Sequence, residues 1–84
     1  MTREAILGVV KKHLVQTVED LTEDRIDPSQ SMKALGVNSL DIVEVVSCTM
    51  RELRIKVPRA ELAKLSNIDG LVDLLHRVAM EQAS

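Results

Sequence analysis

The chain has no phenylalanine, tyrosine or tryptophan. Its apolar residues are Leu, Val, Ile, Ala and Met, a helix-forming palette that gives a sheet few of the rings it favours. A single cysteine excludes an internal disulfide. The three glycines, at 8, 36 and 70, are too scattered for a glycine-rich phosphate loop. No apolar run is long enough to cross a bilayer, and the N-terminal TREAILGVVKKHL lacks the core of a secretion signal, so a cytoplasmic chain working away from membranes is expected. The two histidines, His13 and His76, fall in separate helical segments beside basic residues, with no cysteine or carboxylate at metal spacing. They read as surface residues, not ligands. Cys48, in VVSCTM, has no base nearby to activate it and reads as a small half-buried thiol. The parts of a catalytic or metal centre are not legible, and no enzyme activity is expected.

What is present suits one small domain over residues 1–84. Apolar residues make up 45% of the chain, enough for a modest core but not for two. The net charge of −2 speaks against a general nucleic-acid binder. Charge is unevenly spread, however. Glu19, Asp20, Glu23, Asp24 and Asp27 crowd one segment, whereas Arg51, Arg54, Lys56, Arg59 and Lys64 crowd another.

Periodicity lays out an all-α chain, a small bundle of three longer helices and one short one. Thr2 is placed to cap a first helix over about 3–17, with Ile6, Leu7, Val10, Leu14 and Val18 at three- and four-residue steps. A long connection follows, and loops of that length tend to be functional. Leu21, Ile26, Met32 and Leu35 are expected to pin it to the core. A second helix runs from Ser39 to about Arg54, and Lys56-Val57-Pro58 is expected to end that segment. A short turn over about 59–64 precedes a last helix capped by Asn67, with Ile68, Leu71, Val72, Leu75 and Val78 on one face.

The stretch GVNSLDIVEVV raises the functional question. Serine is common at helix starts, and capping alone would explain Ser39. Yet Asn38 is itself a cap, and Asp41 stands where a capping-box acid belongs, which leaves the Ser39 hydroxyl spare. Gly36 allows a close approach of the loop. A phosphate ester on Ser39 would meet free N–H groups at the positive end of the helix.

LGVNSLDIVEVV, the later LRIKVP, a short ELAKL turn and SNIDGLVDLL together resemble the acyl carrier proteins from about Ala5 to Val78. Leu35, Gly36, Ser39, Leu40, Val43 and Glu44 fill the family pattern, and Val57-Pro58 matches its apolar-proline pair. The resemblance implies that Ser39 receives a 4′-phosphopantetheine arm from coenzyme A through a phosphopantetheinyl transferase. The arm's thiol then carries an acyl group for partner enzymes. Asn38 replaces the usual aspartate, and the second helix is less acidic than in fatty-acid carriers. With VPRAELAKLSNI, these departures are similar to the discrete donor carriers of polyketide β-branching cassettes. The implied partners are a hydroxymethylglutaryl-synthase-like enzyme and a ketosynthase-like decarboxylase or acyltransferase, and the carrier is expected to be a monomer. A general fatty-acid or nonribosomal-peptide carrier, and a non-enzymatic helical interaction module, are the other readings.

On the second helix, Ile42, Val45, Val46, Thr49 and Leu53 are expected to face inward. Leu40, Val43, Ser47 and Met50 form a second stripe that spacing alone leaves as either core or docking surface. On the carrier reading it docks partners, with Glu44 and Arg51 as its charged rim. Thr49 would bring a hydroxyl into an apolar interior and so limit any acyl cavity.

Overall fold

A computed structural model describes residues 2–82, apart from the side chain of Arg59. Its helices are α1 (Arg3–Thr17), α2 (Ser39–Leu53), α3 (Arg59–Leu62) and α4 (Ile68–Gln82), with a single 3-10 turn at Glu23–Arg25. The boundaries follow from caps. Thr2 Oγ1 accepts the Ala5 N–H at 3.1 Å, and Asn67 Oδ1 accepts the Gly70 N–H at 2.7 Å. Each satisfies an N–H that the first turn of a helix cannot pair internally.

The second helix ends within a residue of the expected place, but for another reason. It stops at Leu53 because Arg54 takes a left-handed conformation, φ 58° and ψ 44°, and the Ile55 N–H turns back to the Met50 carbonyl at 3.0 Å. The stop therefore precedes Pro58, which instead leads into α3.

Ile6, Val10 and Leu14 of α1 meet Val45 and Val46 of α2 and Leu71, Val72 and Leu75 of α4 in one aliphatic core. α1 packs against both α2 and α4. Thr49 is fully buried, but its hydroxyl donates to the Val45 carbonyl at 2.8 Å, so the interior gains no unpaired polar atom there. At the rim of α1 and α2, Glu52 Oε1 lies 2.7 Å from Lys12 Nζ and 3.0 Å from His13 Nε2. The His13 side chain is only 13% exposed. It is part of the helix junction, not the surface residue its neighbours in sequence suggested; His76 is also half-buried.

Between α1 and α2 the chain follows an ordered path. Leu21, Ile26 and Met32 are buried as expected, Leu35 is half-buried, and Val37 adds a buried anchor that the apolar pattern had not singled out. Asp27 Oδ1 accepts from both the Ser29 N–H and the Ser29 hydroxyl, bonds that hold its carboxyl below the usual carboxylate range and close the turn around Pro28. The loop is then tied to the head of α4. Met32 N–H donates to the Ser66 carbonyl at 2.8 Å and Asp69 N–H to the Pro28 carbonyl at 3.0 Å, beside an isolated antiparallel bridge between Ser31 and Asn67. These bonds fix the end of the loop from which α2 departs.

Candidate functional site

Two turns of backbone bonds over residues 31–37 bring the chain to the head of α2: the Gly36 N–H donates to the Lys33 carbonyl, and the Val37 N–H to the Met32 carbonyl. Gly36 has φ 82°, a conformation that costs a side chain dearly but glycine little. A Cβ at Gly36 would have no atom within 4 Å, so the residue serves the turn's handedness and not the close approach expected of it.

The expected capping box is present. Asn38 Oδ1 accepts the Asp41 N–H at 2.8 Å, and Asp41 Oδ2 accepts the Asn38 N–H at 3.3 Å. Ser39, the first residue of α2, is exposed, and its hydroxyl has no hydrogen-bond partner among the described residues. The N–H groups of Ser39 and Leu40 likewise have no partner outside the helix. The result is a solvent-facing nucleophilic oxygen at the positive end of a fifteen-residue helix, where a negative substituent is favoured.

Beside it opens a cleft of about 670 Å³, lined by Ser31, Met32, Lys33, Gly36, Val37, Asn38, Ser39, Ile42, Leu65 and Ser66. Its wall combines apolar side chains with three serine hydroxyls, an amide and a lysine. Lys33 is exposed and has no ion pair among the described residues. Neither Lys33 nor the Leu65-Ser66 edge was legible as part of this site, because the turn and the strap to α4 bring them there.

The remaining α2 positions divide by depth. Val45, Val46 and Thr49 are buried, and Ile42 and Leu53 half-buried, as expected of the inner face. On the outer stripe, Leu40 is 80% exposed and Val43 44% exposed. Glu44 and Arg51 are exposed and Ser47 is half-buried. Met50 behaves differently: it is half-buried against the core, and its Sδ accepts the Val57 N–H at 3.1 Å. It holds the chain after α2 in place, so the stripe is neither all core nor all open surface. Cys48 is half-buried, with Sγ 3.7 Å from Glu44 Oε1. His13 and His76 lie away from Ser39 in the chain, and no group of three His, Cys, Asp or Glu side chains is placed to hold a metal among the described residues.

Residues 12–75 match the family model described as a phosphopantetheine attachment site. The chain is 28% identical over 76 residues to the polyketide biosynthesis acyl-carrier-protein AcpK of Bacillus subtilis, covering 90% of this chain and 93% of that protein. It is 34% identical over 64 residues to an acyl carrier protein of Streptomyces coelicolor, covering 75% of this chain and 70% of that one. Among solved structures it resembles a chain in the crystal structure of the curacin biosynthetic pathway HMG synthase in complex with acetyl donor-ACP. The TM-score is 0.78 and the identity 33%, over 89% of this chain and 96% of that chain.

Proposed function

The chain belongs to the phosphopantetheine-attachment family of acyl carrier proteins, and from that premise we propose that Ser39 is the attachment point and that the protein is a discrete donor carrier in polyketide β-branching. Its covalent group is 4′-phosphopantetheine, whose terminal thiol supplies the thioester chemistry.

The site fits that group. The observation that carries the reading is the exposed, unbonded Ser39 hydroxyl at the head of α2, where Asn38 and Asp41 do all the capping. A phosphodiester at Oγ would face the free N–H groups of the first turn and share its cleft with Lys33. No bond of the fold has to break to form it. Leu40, Val43, Glu44, Ser47 and Arg51 form the face offered to partner enzymes, with Met50 as its half-buried edge. Carriers of this family are generally not catalysts, and the chain's own residues hold and present cargo.

The donor reading is supported by the likeness to a polyketide carrier and to a chain crystallised with an HMG synthase. It names an HMG-synthase-like enzyme as the receiving partner, and a phosphopantetheinyl transferase and a ketosynthase-like decarboxylase or acyltransferase as the enzymes that prepare the carrier. We place that work in the cytoplasm. Among the described residues no helix is long and apolar enough to cross a membrane.

Incubating the apo chain with coenzyme A and a broad-specificity phosphopantetheinyl transferase is expected to add one phosphopantetheinyl mass to wild type and none to Ser39→Ala. An unmodified wild type, with a control carrier modified alongside, overturns the assignment. The acetylated holo chain is then expected to serve a polyketide HMG synthase better than a fatty-acid condensing enzyme. The reverse order would leave a general carrier.

A further inference from the structure

Along α2 the positions Leu40, Glu44, Ser47 and Arg51 follow alternating four- and three-residue steps and share one side of the helix; Arg54, the next step, caps its end. Chemistry changes along this side. Near Ser39 it is apolar and then acidic, with Leu40 and Val43 exposed and Glu44 behind them. At the far end Arg51, Arg54 and, just past the helix, Lys56 are all exposed, and none has an ion pair among the described residues. The one acid among them, Glu52, faces α1 and is held there by Lys12 and His13. The far end of α2 therefore carries three exposed cations with no ion pair among the described residues.

Two features set this patch apart from ordinary solvated charge. Arg54 occupies a left-handed helix end, where glycine or asparagine is the residue folding favours. The helix dipole favours a cation at this end, but the backbone conformation would suit a glycine better than an arginine. Lys56 is also anchored: its N–H donates to Gln82 Oε1 at 3.1 Å and its carbonyl accepts from Gln82 Nε2 at 3.0 Å, which fixes the backbone that carries the ammonium against the end of α4.

We propose that Arg51, Arg54 and Lys56 form a second docking contact, separate from the apolar one next to Ser39, and that the receiving enzyme meets it with a surface of clustered carboxylates. At about 1.5 Å of rise per residue, Arg51 stands about 18 Å along the helix axis from Ser39. The acidic surface on the partner must then lie about that far from the mouth through which the arm enters. A carrier whose α2 ends in acids would be repelled there, so the patch sets partner choice as well as orientation. The proposal rests on the donor-carrier reading and names the chemistry of its partner.

The test is binding of the holo chain to a polyketide HMG synthase across a salt series, with loading at Ser39 followed by mass in every sample. Arg51→Glu combined with Arg54→Glu is expected to raise Kd by about tenfold or more at low salt and to flatten its salt dependence, with loading unchanged. Arg54→Gly separates docking from folding. It relieves the left-handed backbone, so its thermal midpoint is expected to hold or rise while Kd still increases. Arg25→Glu, an exposed charge on the 3-10 turn, should stay within about twofold of wild type. A double variant that binds like wild type with the same salt slope overturns the proposal and leaves the carrier reading standing. If loaded wild type does not bind the synthase, the donor reading and the proposal fail together; if wild type cannot be loaded, the attachment assignment fails as well.

Discussion

Asn38 Oδ1 holds the Asp41 N–H and so spares the neighbouring hydroxyl. Replacing Asn38 by alanine is expected to lower stability by about 1 kcal/mol, the usual cost of a lost cap. Asn38→Asp keeps a capping oxygen and adds a negative charge at the positive helix end, so it should be at least as stable as wild type. Urea unfolding followed by far-ultraviolet circular dichroism measures both; with no aromatic residue, the chain offers no intrinsic fluorescence. Capping was legible at this scale because an Asn-x-x-Asp spacing leaves few other uses for those side chains. Gly36 was legible as special for the wrong reason, since backbone handedness and close approach both select glycine and only coordinates separate them. Lys33 was not legible, because its place beside Ser39 depends on the turn.

At the scale of elements, the helices could be read to within a residue wherever a side chain caps them. The end of α2 was read as closely but for the wrong cause, since nothing in Leu53-Arg54-Ile55 announces a left-handed arginine. The α1–α2 junction was equally hidden: Glu52 is far in sequence from Lys12 and His13 and meets them only when the helices pack. There, hydrogen bonds from Lys12, and secondarily from His13, hold the Glu52 carboxyl below its ordinary range. Folding therefore favours the carboxylate. The stabilisation is complete above the unfolded-chain value of about 4.3 and disappears as pH falls through the lower folded value. The difference in thermal midpoint between wild type and Glu52→Gln should be largest near neutral pH and should close in acid. Added salt should shrink it, as the pair is partly exposed. A difference that stays constant from neutral pH into acid would remove Glu52 from the junction's energetics.

Over the whole molecule, stability depends on a connection that composition alone would class as irregular. Ile26 is 6% exposed and Met32 3% exposed, as deep as many helix residues. Ile26→Ala is expected to cost about 2–5 kcal/mol. That is a large share of the margin of a small domain. Leu35→Ala, at a half-buried site, should cost clearly less. Equal and negligible losses at both would show that the loop contributes nothing to the cooperative unit. The all-α class and the anchoring of the loop were legible because isolated apolar residues in a polar segment have little reason to remain in water. The path of the loop was not, since the strap from Pro28 and Met32 to Asp69 and Ser66 is made by backbone groups that every sequence has.

The free hydroxyl at the head of α2 has one more consequence. Since no intramolecular bond uses it, attaching an arm removes none of the interactions that hold the native chain, and the phosphodiester's charge at the positive helix end adds a modest one. Modification and folding are then linked in one direction only: the armed form keeps every bond of the bare body and should be at least as stable. With no bond of the body broken on loading, recognition of the armed form would rest on the arm and its charge.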